Sequence, residues 1–554
     1  MPSAAGASAD LPVYHSWVAG KELPGRAGTR PAVNPATQQA FAEASLLDGA
    51  QAKEAVGLAQ AAFAAWSQTG FKERARLLDR LRQAVVDEAD AIATLVEREQ
   101  GKPAAEAYAV EILPALEALL YLARHAEELL RDEVVPGQQL LLAHKEARLV
   151  YAPLGVVLAI TPWNYPWGLC LPIVAAALMA GDTVLLKPAP ATTLVGLRIG
   201  ALAKQVGFPD GVVNVLAVDD LVASALTEDP RLGKIVFTGC WTTGKKVMAA
   251  AAKNLTPVLL ELGGKDPAIV CRDADLDRAA RGIVWAAFAN AGQTCAAVER
   301  VYVERPVAED FLKRVVSETR RLRLGDSGGG EVEIGPMTLE RQRRIVEEHL
   351  ADAVAKGAAV LCGGVTPSGP GLYYPPTVLA NVDHTMTVMR EETFGPVLPI
   401  AVVDSFDEAL RLANESGYGL TASGWTRGEQ SARRLQRELQ AGVVTINDHL
   451  SSFGEATAPW GGMKGSGIGR THGRLGLHEL VQPKYVSRDR GRGAELWWYP
   501  YDRGFAALLA RAARALYSTS QLQRLGAQLA LLRCSRLWRR FGLLRLVANL
   551  DKLF

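Results

Sequence analysis

The amino-acid sequence predicts an α/β protein built on an open, mostly parallel sheet, with a second α/β unit behind it. Three observations carry this reading. From 155 to about 270, short apolar runs (GVVLAI, TVLLKP, VVNVLAV, KIVFTG, PAIVC) alternate with Ala-rich helical stretches. The runs are apolar throughout instead of alternating, as in strands covered on both faces. A further series of helical periods and Gly-rich turns then extends from about 265 to 465. Ligands of such sheets bind beyond the carboxyl ends of the strands.

The elements follow in order. The first twenty residues lack a basic start and an apolar core, so no secretory signal is expected. Residues 51–133 mix Ala, Leu and charges at helical spacing, and 134–149 turn to short β-like runs. Leu149 to Gly181 carries no charge, a stretch longer than the ~20 residues a bilayer needs. Pro153, Pro162, Pro166 and Pro172 interrupt it, and each removes a helical hydrogen bond. We read a buried strand over 155–160, a Pro-rich turn and a small-residue helix over 172–181. A helix opens at Asp275, its N-cap, buries Leu276, Ala279, Ile283 and Ala287, and stops at Gly292. Another spans 307–322 with Phe311, Val315 and Leu322 on one face; 325–330 and 363–371 are turns.

Composition limits the function classes. With 49% hydrophobic and 22% charged residues over 554 positions, the chain is neither mostly disordered nor collagen-like. A net charge of +2 gives no bias toward nucleic acid, and none is expected as a partner. The basic charge belongs to the tail: residues 488–554 carry a net +9, leaving −7 for the rest. Cys170, Cys240, Cys271, Cys295, Cys362 and Cys534 form no CxxC pair and have no accompanying His cluster, so no metal site is expected. Six cysteines in so long a chain suit a reducing, cytoplasmic compartment.

Four segments could carry chemistry. Cys295, in NAGQTCAAVER, follows a helix-ending glycine and two polar residues, where a thiol is either a small core group or a nucleophile. Glu261, in LLELGGKDP, follows an apolar strand and precedes two glycines; it is a buried acceptor or a general base. Asn164, in PWNYP at a strand's carboxyl end, either satisfies its own turn or offers an amide to a developing oxyanion. In FTGCWTTGKKV, Gly239 and Gly244 are spaced like a phosphate-binding loop before a helix N-terminus. GCWTTGKK is not a nucleoside-triphosphate loop, because Lys246 stands where Ser or Thr must hold Mg²⁺. A dinucleotide pyrophosphate fits it better.

These segments occur in one order with LLKPAP (185–190), EETFGPV (391–397) and PWGGMKGSGIGR (459–470). Together they resemble the aldehyde dehydrogenase superfamily over about residues 15–488. The resemblance implies a Rossmann-type cofactor domain at 11–262 with a β bridging insert at 134–150. It further implies a catalytic domain at 263–465, a return and oligomerisation segment at 466–488, and a homodimer or homotetramer. Cys295 is then the nucleophile, Glu261 the general base, and Asn164 the oxyanion donor, joined by the backbone N–H of Cys295. Lys187 holds the adenosine ribose and Glu392 the nicotinamide ribose. Trp163, Gly239, Cys240, Gly244, Leu262 and Phe394 lie along the cofactor. Phe453 and Trp460 line the aldehyde tunnel, with Trp167, Leu169 and Cys170 opposite. The implied reaction is NAD(P)-dependent oxidation of a small-molecule aldehyde to its acid.

Several departures refine that expectation. Cys240 replaces the Ser that follows FTG in many relatives, and a thiol is the weaker donor. Pro190 stands where strict NAD users often carry Glu, so NAD is expected to be preferred with NADP tolerated. Glu261 favours the hydrolytic class over acyl transfer to coenzyme A, and no Arg precedes Arg300 in GQTCAAVER to hold a substrate carboxylate, which favours an uncharged aldehyde. A catalytically silent member serving as a membrane-surface scaffold is the rival reading; the intact Cys295, Glu261 and Asn164 speak against it.

The tail, 489–554, lies beyond the resemblance. Phe505, Leu508, Leu509, Ala512, Ala513, Leu516 and Tyr517 form one helical stripe with Arg511 and Arg514 off it. Leu522, Leu525, Leu529 and Leu532 form a second, and Leu537, Phe541 and Leu544 a third, behind an aromatic knot of Trp497, Trp498, Tyr499 and Tyr501. Basic amphipathic helices of this kind suit an anionic membrane surface, giving peripheral association and long-chain aldehydes, or packing on the body or a partner subunit.

Overall fold

A computed structural model describes residues 11–136, 142, 145–326, 328, 331–489, 495, 497–499, 501 and 503–533. Cys534, the third tail stripe (Leu537, Phe541, Leu544) and parts of the 134–150 insert lie outside the described residues, as does the Leu532 side chain. The chain divides into two compact units, Met1–Leu130 with Pro153–Gln482, and Arg131–Ala152 with Pro483–Phe554.

The first unit holds two main sheets. One has eight strands, in the order Gly467–Ile468, Val258–Glu261, Leu232–Thr238, Val156–Ile160, Thr183–Lys187, Val213–Val215, Ser16–Val18 and Lys21–Leu23. The five central strands are parallel, and the outer pairings are antiparallel. Leu158, Leu185 and Ile235 at its centre are fully buried, each contributing about 1.5–3 kcal/mol of transfer free energy. The register matters for function. Ile160 lies beside Lys187 and Phe237, and Thr238 beside Glu261, so four strands finish along one edge.

The second sheet runs Ala359–Cys362, Thr377–Ala380, Val397–Val403, Val298–Glu304, Asp266–Val270, Thr421–Trp425 and Val443–Ile446, parallel except at its first pairing. The PAIVC run therefore belongs here and not to the first sheet. The α/β class with open parallel sheets holds. The first three strands, Val13–Tyr14, Ser16–Val18 and Lys21–Leu23, escaped the sequence pattern because runs of two or three residues show no periodicity.

Asp275 caps the helix Leu276–Phe288 by accepting from the Arg278 N–H. That helix ends at Phe288, four residues before the expected Gly292, because Asn290, Ala291 and Gly292 all turn left-handed. The helix Cys170–Ala180 ends on Gly181, whose φ of 98° is the usual left-handed helix stop.

In the second unit, Val481–Asp489, Lys145–Pro153 and Glu133–Val134 form a three-stranded sheet. Lys145 Nζ lies 3.0 Å from Asp489 and 3.4 Å from Glu495. Two helices, Arg503–Tyr517 and Gln521–Leu532, pack on each other, and Phe505, Leu508, Ala515 and Ala527 on them are buried. Leu522, Leu525 and Leu529 stay exposed on one face of the second helix.

Candidate active site

Glu261 is the last residue of its strand. Its carboxyl is buried, and neither oxygen has a hydrogen-bond partner among the described residues. Burial holds it well above the usual carboxyl range; the positive charge of Arg470 opposes this and Glu479 adds to it. The loop behind is pinned, since the Leu262 N–H donates to Ser466 O at 2.9 Å and the Ser466 hydroxyl to Gly263 O at 2.7 Å. A Cβ on Gly263 would sit 2.3 Å from the Glu392 carboxylate, so any side chain there would displace that carboxylate. The Gly264 N–H donates to Glu392 at 3.1 Å, and burial pushes Glu392 up to about 8.

Cys295 lies on the turn between Gly292 and the strand Val298–Glu304, half-buried. Two non-glycine residues in left-handed geometry cost about 1–2 kcal/mol each, so the turn needs support. Asn290 supplies it, accepting from Gln100 Nε2 at 2.8 Å and donating to Asn164 O at 2.9 Å and Gln293 O at 3.1 Å. Burial raises the Cys295 thiol, with Glu392, Asp266 and Glu261 adding negative charge.

Asn164 faces the same turn. Its amide donates at 3.0 Å to Gln293 O, two residues before Cys295, and not to its own turn. One N–H of that amide remains for a ligand. Lys102 Nζ holds the Asn164 carbonyl at 2.9 Å and pairs with Glu111, which accepts from the backbone N–H groups of Trp167 and Gly168. The Tyr165 hydroxyl meets Thr294 Oγ1 at 2.8 Å. The two loops are thus stitched together by buried polar groups. Lys102 and Glu111 escaped the sequence reading because their partners lie far along the chain. Glu111 sits on a π-helical turn, Ala107–Ile112, a feature frequent near functional sites.

One cavity of about 880 Å³ is lined by Cys295, Glu261 and Asn164 together. It is also lined by Trp163, Lys187, Gly239, Cys240, Leu262, Glu392 and Phe394. Trp163 and Phe394 meet edge to face at 5.5 Å. Phe394 is itself left-handed, its N–H held by Glu299 at 2.8 Å. Gly244 is not on the cavity wall. It lies inside the helix Trp241–Ala252, where a Cβ would strike Leu262 at 2.6 Å, so its small size serves packing. Cys240 does cap that helix at the wall, its thiol against Thr242 and Thr243.

These residues fit a dinucleotide. The Thr238 hydroxyl on the wall is buried without a partner among the described residues, beside a helix N-terminus suited to phosphate. Lys187 and Glu392 offer a cation and an acceptor for hydroxyls.

Another group of lining residues is largely apolar and aromatic. Phe453 packs on Trp460 at 5.2 Å and on His472 at 4.9 Å, and Leu169, Ile173 and Leu477 complete it. Burial lowers His472 to about 4, so it is neutral at physiological pH. Trp167 and Cys170 do not line this wall. The Trp167 ring is fully buried, and Cys170 is turned inward to Thr161 at 2.8 Å. Among the described lining residues the Lys and Arg are Lys187, Lys246 and Arg341.

Comparison with known proteins agrees with the geometry. The family model "Aldehyde dehydrogenase family" matches residues 23–486. The chain is 38% identical over 441 residues to 4,4'-diapolycopene aldehyde oxidase of a Methylomonas species, covering 79% of this chain and 81% of that protein. It is 37% identical over 454 residues to 3-sulfolactaldehyde dehydrogenase of Pseudomonas putida, covering 82% and 92%. The crystal structure of betaine aldehyde dehydrogenase from Staphylococcus aureus in complex with NAD+ superposes with a TM-score of 0.83 at 31% identity, covering 88% and 97%.

Proposed function

The chain belongs to the aldehyde dehydrogenase family, and from that premise we propose that it oxidises an uncharged, apolar aldehyde to the carboxylic acid with NAD(P)+. One observation carries the reading: the unpartnered, buried carboxyl of Glu261 shares a cavity wall with Cys295 and Asn164. A buried carboxyl left without partners is costly, and groups perturbed in this way cluster at functional sites.

In this mechanism the Cys295 thiol gives up its proton to solvent, and Sγ bonds to the aldehyde carbon as the thiolate. The free N–H of the Asn164 amide and the Cys295 backbone N–H receive the charge that develops on the carbonyl oxygen. A bound nicotinamide supplies the hydride acceptor. The acyl group remains on Cys295 as a thioester. Glu261, ionised, takes a proton from water, whose oxygen bonds to the acyl carbon as the C–S bond breaks; the acid leaves, Cys295 is returned as the thiolate, and Glu261 passes its proton to solvent. Lys187 and Glu392 hold the cofactor riboses. The apolar wall of Leu169, Ile173, Phe453, Trp460 and Leu477 takes the aldehyde chain, and its lack of cations disfavours a carboxylate at the chain's end. NADH formation with decanal, a short aldehyde and a semialdehyde acid tests the reading. Absence of turnover with all three would favour a silent scaffold.

A second reading concerns the tail, proposed as a peripheral anchor on anionic lipid. Arg503–Arg533 carries five arginines and no acidic residue, next to exposed Leu522, Leu525 and Leu529. Charge and apolar surface of this kind support interfacial binding. Among the described residues no helix is long and apolar enough to cross a membrane. Sedimentation with phosphatidylserine-containing vesicles, but not with pure phosphatidylcholine, is expected. Binding to neither vesicle, or equal binding to both, would remove the proposal. The reducing, cytoplasmic setting is proposed from the cysteine usage, and subunit pairing through 134–150 and 466–488 from family resemblance.

A further inference from the structure

Where Lys187 finishes its strand, the cavity wall carries an unusual pair. Lys187 Nζ lies 3.4 Å from Asp220 Oδ1, with the lysine side chain 5% exposed and the aspartate 86% exposed. Pro190, Ala223, Ser224 and Thr227 line the cavity around them and bring no charge. The neighbouring Asp219 is engaged elsewhere, accepting at 2.7 Å from the Val222 N–H as a helix cap. Arg30 also bears on Lys187, while its guanidinium donates to Val218 O at 3.5 Å.

We infer that Asp220 selects an unphosphorylated ribose, and so NAD+ over NADP+. The inference rests on the cofactor reading above, in which Lys187 holds the adenosine ribose. A carboxylate at this point accepts from a 2'-hydroxyl and repels a 2'-phosphate. It also neutralises the ammonium that a phosphate would otherwise use. Asp220 thus fills the part left empty by Pro190, from a different element of the fold.

The test is direct binding, followed by quenching of the protein's tryptophan fluorescence with NAD+ and with NADP+. The unaltered protein is expected to bind NAD+ more than about tenfold tighter. Asp220→Ala and Asp220→Asn are expected to bring the two affinities within about threefold, chiefly by tightening NADP+. An unaltered ratio in both variants overturns the assignment, as does equal affinity in the unaltered protein. Failure of the unaltered protein to bind either dinucleotide instead overturns the cofactor reading. Asp220 is exposed, so both variants are expected to melt at the parent temperature.

Discussion

Lys102 reaches the carbonyl oxygen of Asn164 at 2.9 Å while its ammonium is paired with Glu111, and both side chains are fully buried. Glu111 in turn holds the N–H groups of Trp167 and Gly168. One buried ion pair therefore positions the turn that carries the proposed oxyanion donor.

Lys102→Met removes the cation and leaves Glu111 buried and unpaired, with an expected loss of about 3–5 kcal/mol. Adding Glu111→Gln neutralises the orphan and is expected to restore much of that stability. If Lys102 positions Asn164, kcat of the double variant stays low while KM moves little. Denaturant melts and initial rates separate the two effects.

Glu261→Gln is expected to stop thioester hydrolysis without stopping its formation. Stopped-flow mixing should then show one equivalent of NADH in a fast phase and a steady rate lower by about 10²–10⁴-fold. In the unaltered enzyme, burial raises the Glu261 carboxyl. The ionised base is therefore scarce at low pH, and hydrolysis should accelerate as pH rises through its elevated range.

Asn164→Ala is expected to lower kcat by about 10²–10³-fold, the cost of one oxyanion donor. KM should change far less, because the amide acts on charge that the bound aldehyde has not yet developed. Steady-state rates with one aldehyde decide it.

The apolar wall predicts a chain-length trend. Each added methylene that enters it gains about 0.8 kcal/mol, or roughly fourfold in kcat/KM, until the cavity is filled. Ile173→Arg places a cation among Leu169, Phe453 and Leu477. It is expected to lower kcat/KM for decanal and raise it for a semialdehyde acid.

Asp182 offers a stability test. Its Oδ1 accepts from Leu154 and Gly155 at 2.6 and 2.9 Å, its other oxygen has no partner among the described residues, and burial raises it to about 7. A carboxyl raised in the folded state binds its proton more tightly there than when unfolded. Stability is therefore full below about pH 4 for this group and falls as pH rises toward 7. Asp182→Asn keeps the acceptor and removes the ionisation, so its melting should depend less on pH across that window, by at least about 1 kcal/mol.

Much of the site was legible because its chemistry sits in short local runs. Cys295, Glu261, Asn164, Lys187 and Glu392 each carry a recognisable neighbourhood, and the strand ends bring them to one cavity. The direction a side chain takes was less legible. Trp167 lies just before, and Cys170 at the start of, a helix buried nearly all round, where periodicity marks no face. Gly244 read as a loop glycine because helix packing and phosphate approach ask for the same small residue. Asp220 and Lys102 act through partners from other elements, a relation no local window contains.

Every cation of the tail helices is a guanidinium. Such a group keeps its proton at any pH the enzyme meets, and acetylation cannot silence it as it silences lysine. Attraction to a phosphate-bearing bilayer would then survive the rise in pH that ionises Glu261, and would yield to salt instead. Ionic strength, not acidity, would set how much of this dehydrogenase stays at the lipid.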